Sequence, residues 1–392
     1  MDNITLDIRL KPALQQPEWD DHAQVDVVRR ELAGRPPLVR AQDVRALRAA
    51  LAVVARGEAH LVQSGDCAED PDESTARDVH RKTAVLDLIA GAFKMITQKP
   101  VVRVGRIAGQ FAKPRSNGTE IVDGVELPVY RGHLVNAPEA DAESRRPDPL
   151  RLLVGYMAAS EITKHLGWQG PVSPSRPALE PQVWTSHEAL LLDYELPQLR
   201  ADGEGGTYLS STHFPWIGER TRQLDGAHVA LLAEVSNPVA CKVGPSMTED
   251  ELLALCRTLD PEREAGRLTL ISRMGSEAIV DALPPLVEAV RRAGHPVIWL
   301  SDPMHGNTVS TPSGHKTRHI ETVKREVQAF QFAVESVGGV AGGLHLETTP
   351  EDVTECVPTE AANHRVGRTY TSFCDPRLNP AQAISVVTAW QK

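Results

Sequence analysis

The feature that most constrains the fold of this 392-residue chain is a rhythm: short β-branched and aliphatic runs alternate with stretches whose apolar residues recur at helical spacing. Strands are predicted at 59–64, 101–105, 182–186, 207–211, 238–243, 267–273, 296–301, 340–346 and 369–373. Helices are predicted between them at 73–97, 150–166, 218–234, 248–259, 276–293, 319–337 and 379–390. A strand that feeds a helix rejoins its sheet as a parallel neighbour, so the alternation predicts βαβ units. Eight or so units over about 330 residues favour a closed (β/α)8 barrel over an open doubly wound sheet. No Gly-x-Gly-x-x-Gly turn joins a strand to a helix, which points the same way.

Local signals refine this outline. Thr248 with Glu251 reads as a capping box, and Asn379 before Pro380 as an N-cap with proline at the first helical position. Residues 1–57 read as an N-terminal helical extension broken at Pro36 and Pro37, ahead of a barrel over 58–392. Within 112–150 the pairs Asn117-Gly118 and Asp123-Gly124 separate short extended pieces, predicting a β-hairpin inserted after the second barrel strand. The Pro-rich stretch 168–182 predicts a loop.

Composition narrows the function classes. A chain 41% hydrophobic and 24% charged is globular rather than disordered. Acidic residues outnumber basic ones, 52 to 42, which argues against a nucleic-acid partner. The N-terminal stretch MDNITLDIRLKPALQQPEWDD has neither the basic nor the apolar region of a secretory signal, and no apolar run is long enough for a membrane. Five cysteines in no framework pattern fit a reducing compartment, so a cytoplasmic chain is expected.

Four potential metal ligands end apolar runs: Cys67 in LVQSGDCAE, His305 in VIWLSDPMHGNT, Glu347 in VAGGLHLETT and Asp375 in TYTSFCDPRLN. Groups gathered at one end of successive parallel strands are how a barrel builds its site. A thiol, an imidazole and two carboxylates suit a divalent transition metal better than calcium or magnesium. Cations crowd the same strand ends. RVGRIAGQFAKPRS supplies Arg106, Lys113, Arg115 and Ser116; THFPWIGERTR supplies Trp216, Glu219, Arg220 and Arg222. Lys242 and Arg273 end two further runs. Gly218 is read as letting a phosphate approach backbone N–H groups at a helix start. Cations around one mouth repel one another unless an anion sits there, which implies a small, multiply anionic ligand such as a phosphorylated carboxylate. Each residue has a plainer reading. A lone arginine is commonly salt-bridged, Cys67 could be a small buried hydrophobe, and Asp302 could be a base or a turn residue. His345, on the same strand face as Glu347, reads as core or as support for the ligands. Cys241, Cys256 and Cys356 read as ordinary buried thiols.

The blocks SGDCAE, GRIAGQFAKPRS, YRG…VN, TSHEALLLDYE, STHFPWIGERTR, NPVACKVGP, SRMG, DPMHGNT, GGLHLE and DPRLNP, in this order, resemble the type II 3-deoxy-D-arabino-heptulosonate 7-phosphate (DAHP) synthases. The resemblance runs from about residue 58 to the C-terminus. It implies a (β/α)8 barrel that condenses phosphoenolpyruvate with erythrose 4-phosphate, the first step of the shikimate pathway. It also implies metal ligation by Cys67, His305, Glu347 and Asp375, and phosphoenolpyruvate binding by Arg106, Glu219, Arg220, Lys242 and Arg273, with Trp216 lining the pocket. Lys113, Arg115 and Ser116 fall where the family holds erythrose 4-phosphate, and Lys316 is a further basic residue of the site. Lys113, Glu219 and His305 are the candidates for proton transfer. A homo-oligomer, dimer or tetramer, is implied, with no membrane and no nucleic acid.

Three departures stand out. His133 replaces the aspartate that the family commonly has after YRG, and DPDES follows GDCAE in place of an aromatic-containing continuation. The segment YMAASEITKHLGWQGPVSPSRPALEPQVWTSHEAL joins two blocks directly, leaving no room for the extra helices that form feedback sites in primary-metabolism members. The chain thus resembles the short members of secondary metabolism, such as phenazine-type pathways, and little or no inhibition by Phe, Tyr or Trp is expected. Cys374, next to Asp375, is expected to link to Cys67 on oxidation. The alternatives are a related 3-deoxy-ulosonate synthase acting on another aldose phosphate, or a non-catalytic relative that binds a partner.

Overall fold

The computed structural model describes residues 2–122, 124–169 and 182–391. Residues 170–181 of the expected Pro-rich loop, and Asp123 of the expected hairpin turn, lie outside them. Eight parallel strands close a barrel in chain order: β1 (His60–Gly65), β2 (Val101–Arg106), β3 (Trp184–Glu188), β4 (Phe214–Ile217), β5 (Val239–Val243), β6 (Leu268–Ser272), β7 (Ile298–Ser301) and β8 (Ala341–Glu347), with β8 returning to β1. The expected (β/α)8 barrel is therefore found. None of the described helices is long and apolar enough to cross a membrane.

The chain divides into two compact units. One comprises Ala46–Cys67, His80–Arg106 and Pro238–Lys392, and holds β5 to β8 followed by β1 and β2. Strands β5 to β8 are buried along their whole length, which is why they read as continuous apolar runs. The parallel register sets Glu347 of β8 and Arg106 of β2 level with Gly65 of β1, so three strand ends finish together. Helices follow the strands as the spacing predicts. Glu249–Leu259 starts at the Thr248–Glu251 capping box, and Pro380–Val387 starts at Asn379, whose box is completed by Gln382. In Ile320–Glu335, the side chains of Ile320, Val323, Val327, Phe330 and Val334 form one buried stripe. Each such side chain contributes about 1.5–3 kcal/mol by leaving water.

The other unit comprises Met1–Arg45, Ala68–Val79 and Ile107–Asn237 and holds β3 and β4. Its helix His22–Gly34, capped by Asp21, buries Val25, Val28 and Leu32 in a cluster with Phe111, Tyr156, Ile162 and Tyr194. The hairpin expected after β2 is present as Thr119–Val122 paired with Val125–Pro128.

Three elements differ from the sequence reading. The stretch read as a strand at 207–211 is strand only over Thr207–Leu209, and pairs antiparallel with Leu199–Ala201 outside the barrel. The barrel strand is Phe214–Ile217, which its brevity and Pro215 conceal. The segment 369–373 has strand-like residues but forms no strand. The N–H groups of Thr371 and Ser372 donate to the Glu355 carboxylate instead of a ladder. The helix expected at 218–234 is limited to Ala227–Glu234, with Gly226 at its N-cap, because a glycine inside a helix costs about 1 kcal/mol. Gly218 therefore opens no helix. A Cβ there would meet Glu188 Oε1, so a side chain at 218 would have to displace that carboxylate.

Candidate active site

Glu347, the last residue of β8, is fully buried, and an isolated carboxylate there would be costly. It is not isolated. Oε1 accepts from Arg106 Nη2 at 3.0 Å and Oε2 accepts from Arg318 Nη1 at 2.8 Å. Arg106 donates from Nε to the Asp66 carbonyl at 3.0 Å and lies 2.6 Å from His345 Nε2. That places the His345 proton on Nδ1, 2.6 Å from Gln63 Oε1. His345 thus supports Arg106, in keeping with its reading as core or support.

His305 follows β7, and its Nδ1 lies 2.8 Å from Asp302 Oδ2. Its Nε2 is 3.2 Å from Glu347 Oε1. With Nδ1–H committed to Asp302, a neutral ring would turn an unshared pair toward a carboxylate oxygen. That approach is repulsive unless a proton or a cation sits there. Asp302 also accepts from the N–H groups of Met304 and His305 and pairs with Lys242 Nζ at 2.5 Å. The turn role and the charged role therefore fall on one residue. Burial alone would raise the Asp302 carboxyl, but the His305 ring and the Lys242 ammonium hold it well below the usual carboxylate range.

Cys67 follows β1, and its Sγ accepts from the Asp375 N–H at 3.3 Å and lies 3.7 Å from Asp375 Oδ2. One ligand atom each from Cys67, Glu347 and Asp375 can be chosen so that all three lie within 4.8 Å of one another. Ligands of one transition ion lie roughly 3–4 Å apart, given bonds of about 2.0–2.3 Å, so the trio closes on an ion with little movement. The set fits a divalent transition metal, and His305, through its contact with Glu347, is the adjacent nitrogen donor. Lys316, exposed, pairs with Asp375 Oδ1 at 2.8 Å, and Arg273, half-buried, donates toward the His305 carbonyl at 3.4 Å. All five cysteines are free thiols; Cys241, Cys256 and Cys356 are buried, as expected, and so is Cys67.

The remaining sequence candidates belong to the other unit. Glu69 accepts the N–H groups of Ala108, Gly109 and Gln110 and so shapes the loop that leads to Lys113, which is buried. Arg220 donates to Ser116 Oγ at 2.7 Å on the surface. Arg222 pairs with Glu219 at 2.9 Å, and Trp216 on β4 is buried. Arg115 pairs with Glu120 at 3.2 Å. His133 sets Nδ1 2.7 Å from the Tyr130 hydroxyl, and burial pushes its pKa down.

Sequence reasoning missed Arg318, which is fully buried against Glu347, and the group formed by Asp66, Glu355 and Arg377. Arg377 Nη1 meets Asp66 Oδ1 at 2.8 Å, and Nη2 meets Glu355 Oε1 at 2.9 Å. The one available signal was DPRLNP itself, where an arginine sits inside an otherwise apolar or turn-forming run. Arg318, in a polar run before a helix, gave none.

Comparison with known proteins agrees with this picture. The model of the Class-II DAHP synthetase family matches residues 4–170 and 172–389. A probable phospho-2-dehydro-3-deoxyheptonate aldolase of Pseudomonas fluorescens is 60% identical over 379 residues, covering 97% of this chain and 94% of that one. A phospho-2-dehydro-3-deoxyheptonate aldolase of Streptomyces coelicolor is 41% identical over 421 positions, covering 96% and 94%. Its counterpart in Mycolicibacterium smegmatis is 38% identical over 427 positions, covering 96% and 91%. In fold, the solved phospho-2-dehydro-3-deoxyheptonate aldolase of Francisella tularensis is similar with a TM-score of 0.56 at 14% identity, over 97% of this chain and 98% of that one.

Proposed function

The chain belongs to the class-II DAHP synthetase family, and on that premise we propose how its residues divide the work of 3-deoxy-7-phosphoheptulonate synthesis. The enzyme joins phosphoenolpyruvate, erythrose 4-phosphate and water to give DAHP and phosphate. The enol carbon attacks the aldehyde, water adds to the carbon left electron-poor, and the tetrahedral centre expels phosphate. The family is metal-dependent, and the observation that carries our reading is the convergence of Cys67, Glu347 and Asp375, with His305 against Glu347. Those four residues would hold Mn2+ or Co2+, which when bound polarises an oxygen ligand or acidifies water.

The chain's own groups do the rest. Phosphoenolpyruvate brings a phosphate and a carboxylate, and Arg106, Arg220, Lys242 and Arg273 are assigned to them, with Glu219 and Trp216 completing that subsite. Burial of Arg106 and Lys242 strengthens their pull on an anion relative to water. Lys113, Arg115, Ser116 and Lys316 are assigned to erythrose 4-phosphate. Lys113, Glu219 and His305 are the groups we assign to proton transfer. Phosphate release from phosphoenolpyruvate should require both erythrose 4-phosphate and Mn2+ or Co2+. Turnover undiminished by exhaustive metal removal would overturn the metal reading.

A second proposal concerns regulation. The Streptomyces and Mycolicibacterium relatives align over 421 and 427 positions, more than the 392 residues of this chain, so they carry segments that it lacks. The Pseudomonas fluorescens relative needs no such insertions over 379 positions. This supports a short form without aromatic feedback, serving secondary metabolism. Assays with Phe, Tyr and Trp should show little inhibition, and strong inhibition at sub-millimolar concentrations would refute the reading.

A further inference from the structure

The segment after β8 that carries Asp375 is irregular, so something other than a strand or helix must fix it. Its backbone donors converge on one buried carboxylate. Glu355 Oε1 accepts the N–H groups of Thr371 at 3.0 Å and Ser372 at 2.8 Å, and Oε2 accepts the N–H of Arg377 at 2.6 Å. Glu355 is fully buried and lies outside every role assigned above. Arg377 completes the arrangement. Its guanidinium bonds Glu355 through Nε and Nη2, bonds Thr371 Oγ1 at 2.6 Å, and reaches Asp66 Oδ1 at 2.8 Å. Asp66 immediately precedes Cys67, and its other oxygen pairs with Lys82 at 2.9 Å. One planar fork thus ties the turn after β1, which bears Cys67, to the loop after β8, which bears Asp375.

We propose that Glu355, acting through Arg377 and Asp66, is a positioning residue that sets the spacing of Cys67 and Asp375 for the metal; this rests on the metal reading above. The physical case is geometric. A carboxylate offers two acceptor oxygens, and here both are filled by donors from the ligand-bearing loop itself. A glutamine at 355 would present an N–H2 group to one set of those donors and release one side of the loop. A lysine at 377 keeps the charge but cannot span two carboxylates as a fork does. Groups that orient metal ligands in this way change metal affinity about 10–100-fold when altered.

The test measures Mn2+ binding, and the thiolate-to-Co2+ absorption band, in the wild type, Cys67→Ser, Glu355→Gln and Arg377→Lys. Leu286→Ala in the helix after β6 serves as a destabilised control. In the wild type the band should appear, and Cys67→Ser should abolish it. Glu355→Gln should bind Mn2+ about 10–100-fold more weakly while reaching substrate KM values near wild type once metal saturates. Arg377→Lys should shift the same way, and it carries the test if Glu355→Gln does not fold. The Leu286→Ala control should melt earlier with its metal affinity intact. If Glu355→Gln and Arg377→Lys merely melt earlier and bind metal as the wild type does, the positioning role is overturned while the metal site stands. If the wild type shows no thiolate band, the metal reading falls, and this proposal with it.

Discussion

Asp302 shows how much of the site can hang on one side chain. Its two oxygens receive the His305 ring, the Lys242 ammonium and two backbone N–H groups, with no exposure to water. An ionised carboxylate can satisfy all of these at once because it only accepts. Asparagine cannot, since its amide nitrogen would face a donor. Asp302→Asn should therefore lower kcat/KM by about 10–100-fold, through a mis-set His305 and Lys242, with the far-UV spectrum unchanged. Activity within about twofold of wild type would show that neither group depends on Asp302. At this scale the sequence was most legible where chemistry is unusual for its setting. A thiol, an imidazole and two carboxylates at the ends of apolar runs demanded an explanation, and three of the four meet in the folded chain. Arg318 was illegible because its partner Glu347 is 29 residues away and nothing local marks it as buried.

The turns after β6 and β7 are held by one helix. Glu326 on Ile320–Glu335 accepts the Gly275 N–H at 2.9 Å and bonds the Asn307 amide, so it braces the segments that carry Arg273 and His305. Burial pushes the Glu326 carboxyl up to about 7, against an ordinary 4.5. Between these values the native state holds a proton that the unfolded chain has lost. Stability from this group is thus present at low pH and is lost as pH rises toward 7, by on the order of 3 kcal/mol in all. Glu326→Gln has no such titration, so the wild-type melting temperature should fall relative to the variant between about pH 5 and about pH 8. A constant difference would mean that the carboxyl stays ionised. The seam between β8 and β1 has a different weakness. Gly343 adopts φ +147°, and a Cβ there would lie 1.9 Å from the Leu61 carbonyl oxygen. Gly343→Ala should cost about 2 kcal/mol or more and lower the melting temperature, because a backbone atom cannot yield as a side chain can. A melt unchanged by the substitution would show that the seam tolerates a shift. Element by element, long apolar runs and capped helices were legible, since local pattern and tertiary role agree there. Phe214–Ile217 was not: its four residues include a proline, while the more strand-like Thr207–Leu209 went to a small hairpin.

For the whole chain the remaining question is whether the fold needs its metal. Small metallo-domains unfold without one because the ion supplies their folding energy. Here the barrel closes through eight paired strands, and the carboxylates near the proposed metal already have cations. Glu347 has Arg106 and Arg318, Asp375 has Lys316, and Asp66 has Lys82 and Arg377. Removal of an ion would therefore leave none of these three carboxylates without a counter-charge, and a lost counter-charge is what makes a broken buried pair expensive. Dialysis against a chelator should abolish turnover, leave the far-UV spectrum unchanged and lower the melting temperature by only a few degrees. Ligand linkage at a free metal concentration of 100 times Kd supplies about 2.7 kcal/mol, and the shift should scale accordingly. Returning Mn2+ or Co2+ should restore both activity and the melt. Loss of helical signal on chelation would mean that Arg106 and Arg318 do not balance Glu347 alone, and that the metal is part of what holds β8 against β1.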